Sequence, residues 1–154
     1  MDKKKLTDIF DIPILRHGFT EYNRDYDFLV ELDPVNVSGH FILRFKHVYE
    51  LTYLTTVTND TLKLSTDDIF TNHQKWKDNG EKLGFVWGVN NSSAYPGFSV
   101  KDTSDKADKW IRILGLEMFE VSVETETFKI DFVTHDFELI DLKDNKELIF
   151  KTTY

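Results

Sequence analysis

Residues 41–57 read FILRFKHVYELTYLTTV, and the apolar and aromatic side chains fall mostly on every second position. The repeating set is Phe41, Leu43, Phe45, His47, Tyr49, Leu51, Tyr53, Thr55 and Val57. Successive side chains of a strand point to opposite faces, so this period of two predicts a strand with one apolar face. The stretch would span roughly 56 Å if straight, which is too long for a small domain, so we expect a bend or bulge near residues 47–50.

The preceding segment, residues 25–32, alternates in the same way and predicts a strand that turns back through a loop opened by Asp33-Pro34. Antiparallel pairing then keeps the apolar residues of both strands on one face. The expected pairs are Leu32 with Phe41, Val30 with Leu43, Phe28 with Phe45, and Tyr26 with His47. Upstream, residues 9–15 are apolar but contain Pro13, which predicts an edge strand or an extended arm. Residues 16–18 resemble a turn.

Two helices are predicted from their caps and spacing. The first covers residues 67–78 and ends near Gly80. The second covers residues 104–114, with Thr103 or Ser104 as the N-cap and Gly115 as the stop. Short strands are expected at residues 85–89 and 147–153, and an irregular loop is expected to follow the first of these.

The last third of the chain predicts a meander. Residues 119–123 and 128–132 alternate, and a hairpin between them is expected to pair Val123 with Phe128, Val121 with Ile130, and Phe119 with Phe132. The apolar phase changes afterwards, so a bulge or bend is expected near residues 134–136. The predicted fold is α+β: a strongly twisted antiparallel sheet or open sandwich of seven to nine strands, with two short helices. A flexible N-terminus, residues 1–8, is expected to precede a single domain, residues 9–154.

Composition and charge argue against several classes of protein. The 154 residues carry a formal net charge of −8, so nucleic acid is an unsuitable partner and a basic protein is a better one. There is no cysteine, which excludes disulfides, thiolate metal sites and cysteine nucleophiles. No apolar run is long enough to cross a bilayer, and no signal peptide follows the basic start. We therefore expect a cytoplasmic protein without membrane contact.

The sequence contains no strong catalytic motif. His135-Asp136 could act as a general base with its orienting carboxylate, but a histidine that fills a bend and bonds to backbone is the favoured interpretation. His47 is interpreted as a core or rim histidine. The five histidines lack metal-ligand spacing, and a zinc site would need long-range assembly. No phosphate loop or dinucleotide fingerprint occurs. We therefore predict no catalytic residue, no metal and no cofactor.

Residues 84–97, GFVWGVNNSSAYPG, combine aromatic and amide side chains. Trp87, Asn90 and Tyr95 could line a pocket or a partner surface, while the alternative is a loop whose aromatics plug the open end of the sheet. GFVWGVN followed by AYPG resembles the YxiG-like proteins, a family of small bacterial proteins without assigned chemistry. Asp68-Ile69-Phe70, Trp76, Glu124-Thr125 and His135-Asp136 are also similar, and the resemblance covers about Gly18 to Leu142.

The resemblance implies, by association with genes placed near secreted polymorphic toxins, an immunity or accessory role. The first hypothesis is therefore a non-enzymatic protein-binding module, plausibly an immunity-type protein that neutralises a bacterial toxin through an acidic face. That face would contain Glu117, Glu120, Glu124 and Glu126. The alternative is a small-ligand or hydrolytic site built from Trp87, Asn90, Tyr95 and His135 with Asp136, which requires one shared cleft. A third hypothesis is a self-assembling module, with which a homodimer is compatible.

Overall fold

A computed structural model describes residues 3–9, 11–32, 39–57, 59, 74, 78, 92–125 and 127–142. This part of the chain forms one antiparallel sheet, open at β4 and β8, in the order β4-β7-β6-β5-β1-β2-β3-β8. The α+β class with an antiparallel sheet is confirmed. The elements are α1 (Lys4–Thr7), β1 (Ile12–Phe19), β2 (Tyr26–Leu32), β3 (Gly39–Lys46), β4 (Glu50–Thr55), β5 (Ser92–Val100), α2 (Asp105–Leu114), β6 (Phe119–Thr125), β7 (Phe128–Thr134) and β8 (Asp136–Asp141).

Both predicted bends are confirmed, and they meet at one place. Residues 47–49 separate β3 from β4, and His135 alone separates β7 from β8. β3 pairs with β8 up to Lys46 opposite Asp136, and β4 pairs with β7 from Glu50 opposite Val133. We call residues 46–50 and 133–136 the corner. The two-residue alternation stops there, so Tyr49, expected on the apolar face, is 42% exposed.

The inner face of the sheet curls around an aromatic core. The ring centroids of Phe28 on β2 and Phe132 on β7 lie 6.1 Å apart, although four strand spacings separate these strands in the sheet order. A flat sheet would hold the two strands about 19 Å apart. Phe45 and Phe98 complete the cluster, at 4.7 Å from Phe132 and 5.3 Å from Phe28 respectively. The curl therefore buries one face of the sheet against itself.

Both predicted strand registers are wrong by two residues. Phe28 lies opposite Leu43, and Tyr26 lies opposite Phe45 instead of His47. In the β6–β7 hairpin, Val123 likewise lies opposite Ile130. A shift of two keeps every side chain on its face, so alternation cannot detect it. Turn chemistry sets the hairpin register, because the Thr125 hydroxyl accepts the backbone N–H groups of Thr127 and Phe128 at 3.2 and 3.0 Å.

The predictions of an edge strand at Pro13 and a turn at residues 16–18 are wrong, because β1 runs inside the sheet between β5 and β2. Its β5 ladder covers residues 12–14, while its β2 ladder begins at Ile14. Pro13 therefore lies beside one neighbouring strand, where its missing N–H is tolerated. A bulge between Ile14 and Arg16 shifts the phase of the strand and brings His17 opposite Phe28.

Helix α2 forms as its caps predict. The Ser104 hydroxyl accepts the Ala107 N–H at 3.1 Å, and Gly115 ends the helix in the left-handed region at φ 67°. Ala107, Trp110 and Leu114 pack with Met118 and Val133 against the outer face of the sheet. Helix α1 was not expected, since residues 1–8 were predicted to be flexible. Its Leu6 is completely buried in the main core, which anchors this segment.

Residues 92–97 were expected to be an irregular loop but begin β5. A bulge between Ala94 and Gly97 absorbs Tyr95 and Pro96, which explains why alternation fails there. The predicted strands at 85–89 and 147–153 lie outside the described residues. So does the predicted helix 67–78, apart from Gln74 and Asp78, whose side chains hydrogen bond at 2.8 Å.

Candidate functional site

The corner is held together by backbone hydrogen bonds. The carbonyl oxygen of Lys46 accepts the His135 N–H at 2.9 Å and the Thr134 hydroxyl at 2.7 Å. His47 occupies the left-handed region at φ 58°, and its N–H donates to Asp25 Oδ1 at 3.1 Å. Val48 is buried, and its N–H donates to the Arg24 carbonyl at 2.7 Å. These bonds fix the backbone positions of His47 and His135 next to each other.

The hydrogen bond of His135 determines its tautomer. Its Nδ1 lies 2.7 Å from the carbonyl oxygen of Glu117. A carbonyl oxygen only accepts, so Nδ1 carries the hydrogen and Nε2 of the neutral ring keeps a free lone pair. The His47 ring centroid is 5.6 Å from that of His135, with an interplanar angle of 64°. Both imidazoles are half-buried and therefore reach solvent.

Charges near the corner favour a neutral His47. Burial and the neighbouring Arg24 lower the pKa of His47, and these effects outweigh the attraction of Asp25 for the protonated ring. Arg24 contacts both carboxylate oxygens of Asp25, at 2.9 and 3.0 Å. This hydrogen bonding lowers the pKa of Asp25 and leaves its charge already paired.

An aromatic surface lies beside the corner. Tyr49 and Trp110 have ring centroids 5.3 Å apart. The Trp110 indole N–H donates to Glu50 Oε2 at 2.8 Å, and Lys109 Nζ donates to the same oxygen at 3.0 Å, which together lower the pKa of Glu50. Ile113, 60% exposed, follows Trp110 by three residues and lies on the adjoining helix face. We call these five residues the Tyr49–Trp110 surface.

A second polar group lies among aromatic rings at the far end of β4 and β7. His17 Nδ1 is 2.7 Å from the Tyr26 hydroxyl, and the His17 ring lies 4.7 Å from Phe128 and 5.9 Å from Tyr53. Phe19 meets Tyr26 edge-on at 4.9 Å. Burial lowers the pKa of His17 and raises that of Tyr26 to about 12. We call these five residues the aromatic end.

Comparison with protein families gives one match over nearly the whole chain. The family model described as YxiG-like protein matches residues 2–152. The chain belongs to the YxiG-like family. No curated protein matches it. The predicted family is thus confirmed, over a longer range than the sequence motifs covered.

Of the predicted pocket residues, the structure describes Tyr95, His135 and Asp136, and it places Tyr95 far from the other two. Tyr95 is 68% exposed in the β5 bulge, near the Thr125 end of β6. His135 follows Thr134, which lies opposite Phe119 at the other end of β6, roughly 20 Å away. Asp136 begins β8, and its Oδ1 accepts the Phe137 N–H at 2.7 Å. Trp87 and Asn90 lie outside the described residues.

The acidic residues are also separated. Glu120 is buried, 4% exposed, and does not contribute to an exposed surface. Burial opposes its ionisation, but hydrogen bonds from Lys101, at 2.6 Å, and from Ser104 lower its pKa overall. Glu117 is exposed and pairs with Lys3 at 2.9 Å just before β6, whereas the exposed Glu124 lies near the other end of that strand. Glu126 lies outside the described residues.

Neither three-ligand metal centres nor spanning helices occur in the described ranges. No three or more histidine, aspartate or glutamate side chains in those ranges are arranged to hold a metal ion. No helix within them is long and apolar enough to cross a membrane.

Sequence reasoning missed the main features of the corner. Trp110 was assigned to a helix stripe and Tyr49 to the strand face, and nothing in either segment indicated that they meet. One usable indication existed for His47: a residue with positive φ can bend a strand, and histidine is enriched among the non-glycine residues that adopt a positive φ. His17 was missed because the β1 bulge hides its alternation.

Proposed function

We propose that the protein is a non-enzymatic protein-binding module that contacts its partner through the Tyr49–Trp110 surface. The observation that carries this proposal is an exposed aromatic and aliphatic group beside a fixed tryptophan. Tyr49 is 42% and Ile113 60% exposed; the Tyr49 ring lies 5.3 Å from that of Trp110, which precedes Ile113 by three residues on α2. Tyrosine and tryptophan are enriched among the residues that contribute most to protein–protein binding energy.

The surface is organised before any partner arrives. Glu50 accepts hydrogen bonds from both Trp110 and Lys109, which holds the indole in one orientation. Trp110 also packs on the Ala107–Met118–Val133 cluster beneath α2. A side chain that is already ordered loses less conformational entropy on binding, so more of its contact energy appears as affinity.

Charge supports a basic partner. The chain carries a formal net charge of −8, which attracts a cationic protein at long range and speeds association. Glu117 and Glu124 are exposed, although they do not form one face with Glu120. An immunity-type role, in which a bacterial toxin is the partner, fits this charge and the association that the family resemblance implies.

Co-expression with toxins encoded in the genomic neighbourhood tests the proposal. The wild-type chain is expected to restore growth and to co-elute with one toxin on a sizing column. Tyr49→Ala and Ile113→Asp are expected to weaken that complex by about tenfold or more. Tyr95→Ala is the matched control, because Tyr95 is an exposed aromatic residue in the β5 bulge, away from the Tyr49–Trp110 surface.

Two outcomes would contradict the proposal in different ways. Failure of every neighbouring toxin to form a complex, with no recovery of growth, would remove the immunity role. Loss of binding in Tyr95→Ala with full binding in Tyr49→Ala would move the contact surface to the segment of residues 84–97. Circular dichroism spectra of all three variants establish that the fold is retained.

A further inference from the structure

Two histidines from distant parts of the sequence share the corner. His47 follows β3 and His135 follows β7, yet Lys46 and His135 are joined by a backbone hydrogen bond of 2.9 Å. Their ring centroids lie 5.6 Å apart. The protein-binding proposal does not use this pair, and the inference drawn from it does not depend on that proposal.

We propose that His47 and His135 form a two-imidazole site for a divalent transition-metal ion of the class Zn²⁺, Ni²⁺ and Cu²⁺. Imidazole nitrogen is a preferred ligand of these ions. An ion bound to two imidazole nitrogens lies about 3.2 Å from each ring centroid, so tetrahedral coordination places the two centroids about 5 Å apart. The observed 5.6 Å is within a small side-chain adjustment of that separation.

The lone pair required for ligation is available on His135. Its Nδ1–H donates to the Glu117 carbonyl at 2.7 Å, so in the neutral ring the free lone pair is on Nε2. Metal-binding histidines characteristically donate their second ring nitrogen to a backbone carbonyl or a carboxylate, which fixes ring orientation and raises ligand basicity. His135 therefore already has the outer hydrogen bond of a metal ligand.

Nearby carboxylates are engaged elsewhere. Asp25 Oδ1 accepts the backbone N–H of His47, and both oxygens of Asp25 contact Arg24. Asp136 Oδ1 accepts the Phe137 N–H. The part of the chain that the structure describes thus offers two imidazoles without a third ligand, consistent with the finding that no three-residue group is present there. Water would fill the remaining positions, so the site is open to solvent.

Substitution of His47 can remove the ligand without straining the backbone. Its φ of 58° lies in the left-handed region, where glycine is less strained than any residue with a Cβ. His47→Gly therefore removes the ligand while suiting the backbone, and the fold should survive. His135→Ala removes the second ligand and only one hydrogen bond to a carbonyl. His40→Ala is the matched control, because His40 is an exposed histidine on β3 outside the corner.

The experiment is isothermal titration of the full, untagged chain with ZnCl₂ and NiCl₂ at neutral pH, with MgCl₂ as a hard-ion control. One equivalent of Zn²⁺ or Ni²⁺ is expected to bind the wild type and His40→Ala equally, and Mg²⁺ is expected not to bind. His47→Gly and His135→Ala should each lower the metal affinity by about tenfold or more. Removing a residue that only hydrogen bonds to a metal ligand already costs about tenfold, so removing the ligand itself should cost at least as much.

Long-range ¹H–¹⁵N spectra of the histidine rings give a second measurement. They should show the Nδ1–H tautomer of His135 in the free protein and a shift of its Nε2 resonance on Zn²⁺ addition. Absence of binding to the wild type, wild-type affinity in either corner variant, or Zn²⁺-induced shifts confined to other histidines would each overturn the inference. Thermal unfolding of each variant shows that it is folded.

Discussion

The aromatic end and the corner place the same kinds of side chain in opposite roles. At the aromatic end, His17 bonds to the Tyr26 hydroxyl and lies 4.7 Å from the Phe128 ring. At the corner, the His47 backbone N–H donates to Asp25 and the His135 ring donates to the Glu117 carbonyl, while both rings remain half-buried. A bulge turns His17 inward, whereas a left-handed residue leaves His47 outside the regular sheet. Local backbone geometry, and not residue type, therefore determines which histidines pack inside the protein and which remain accessible to solvent.

Substitutions at the aromatic end should therefore mainly change stability, and substitutions in the Tyr49–Trp110 surface should mainly change binding. Packing at the aromatic end contributes to the free energy of unfolding, because the Tyr26 and Phe128 rings are buried. The solvent-accessible side chains of the corner and of the Tyr49–Trp110 surface should contribute little to that free energy and should make most of the contacts with other molecules.

The largest expected difference comes from truncating one ring in each region. Phe128→Ala removes a buried ring, 5% exposed, and should lower the free energy of unfolding by about 3–5 kcal/mol. Tyr49→Ala, at a residue 42% exposed, should lower it by less than about 1 kcal/mol. Urea denaturation measures both. Equal losses would show that the Tyr49 ring contributes as much to stability as a core residue does.

A smaller effect is expected from one hydroxyl. Tyr26→Phe keeps the ring but leaves His17 Nδ1 without its partner, and should cost about 1–2 kcal/mol of unfolding free energy. Tyr95→Phe, at an exposed position, serves as the matched control and should be neutral within experimental error. A neutral Tyr26→Phe would mean that the His17–Tyr26 hydrogen bond adds nothing to stability.

The pH dependence of stability should also distinguish the regions. Burial lowers the pKa of His17 and of His47 below the ordinary histidine value of about 6.5, so the unfolded chain takes up a proton first as the pH falls. Their contribution to stability is complete above about pH 6.5 and is lost as the pH falls through the folded pKa values. His17→Phe should remove more of this slope between pH 7 and 5 than His47→Gly, because His17 is more deeply buried. A slope unchanged in both variants would contradict this assignment.

The smallest effect is expected at the surface ion pair. Lys109→Ala removes the 3.0 Å contact with Glu50 and should change the free energy of unfolding by less than about 0.5 kcal/mol, because both groups are solvated. Lys101→Ala is the matched comparison, since Lys101 neutralises the buried Glu120 at 2.6 Å and should cost clearly more. Similar losses in thermal and urea unfolding for both variants would contradict the distinction.

Alternation determined faces but not partners. Phe28, Phe45 and Phe132 lie on the inner face as their spacing predicts, and they remain there in either register. The two-residue register error follows from this degeneracy, since only turn geometry distinguishes the alternatives. Helix α2 was predicted well because Ser104 and Gly115 act locally, through hydrogen bonds within one turn.

The candidate site was less predictable because its contacts are long-range. Trp110 reaches Glu50 across sixty positions of sequence, and no local pattern encodes that contact. Glu120 was expected on an exposed acidic face; alternation does place it on the outer face, but the segment leading into α2 covers it. His135 was expected to fill a bend and bond to backbone, and its contact with Glu117 agrees with that interpretation.

The bulge between Ile14 and Arg16 has a consequence for insertions and deletions. It places one surplus residue in β1, so that Leu15 and Arg16 together occupy the space opposite Leu29. Removing Arg16 would restore strict alternation while keeping His17 and Phe19 on the inner side. Elsewhere in the strand, losing a single residue would move every side chain beyond it to the opposite face of the sheet. Length variation in β1 should therefore be tolerated at this point and rejected at its neighbours.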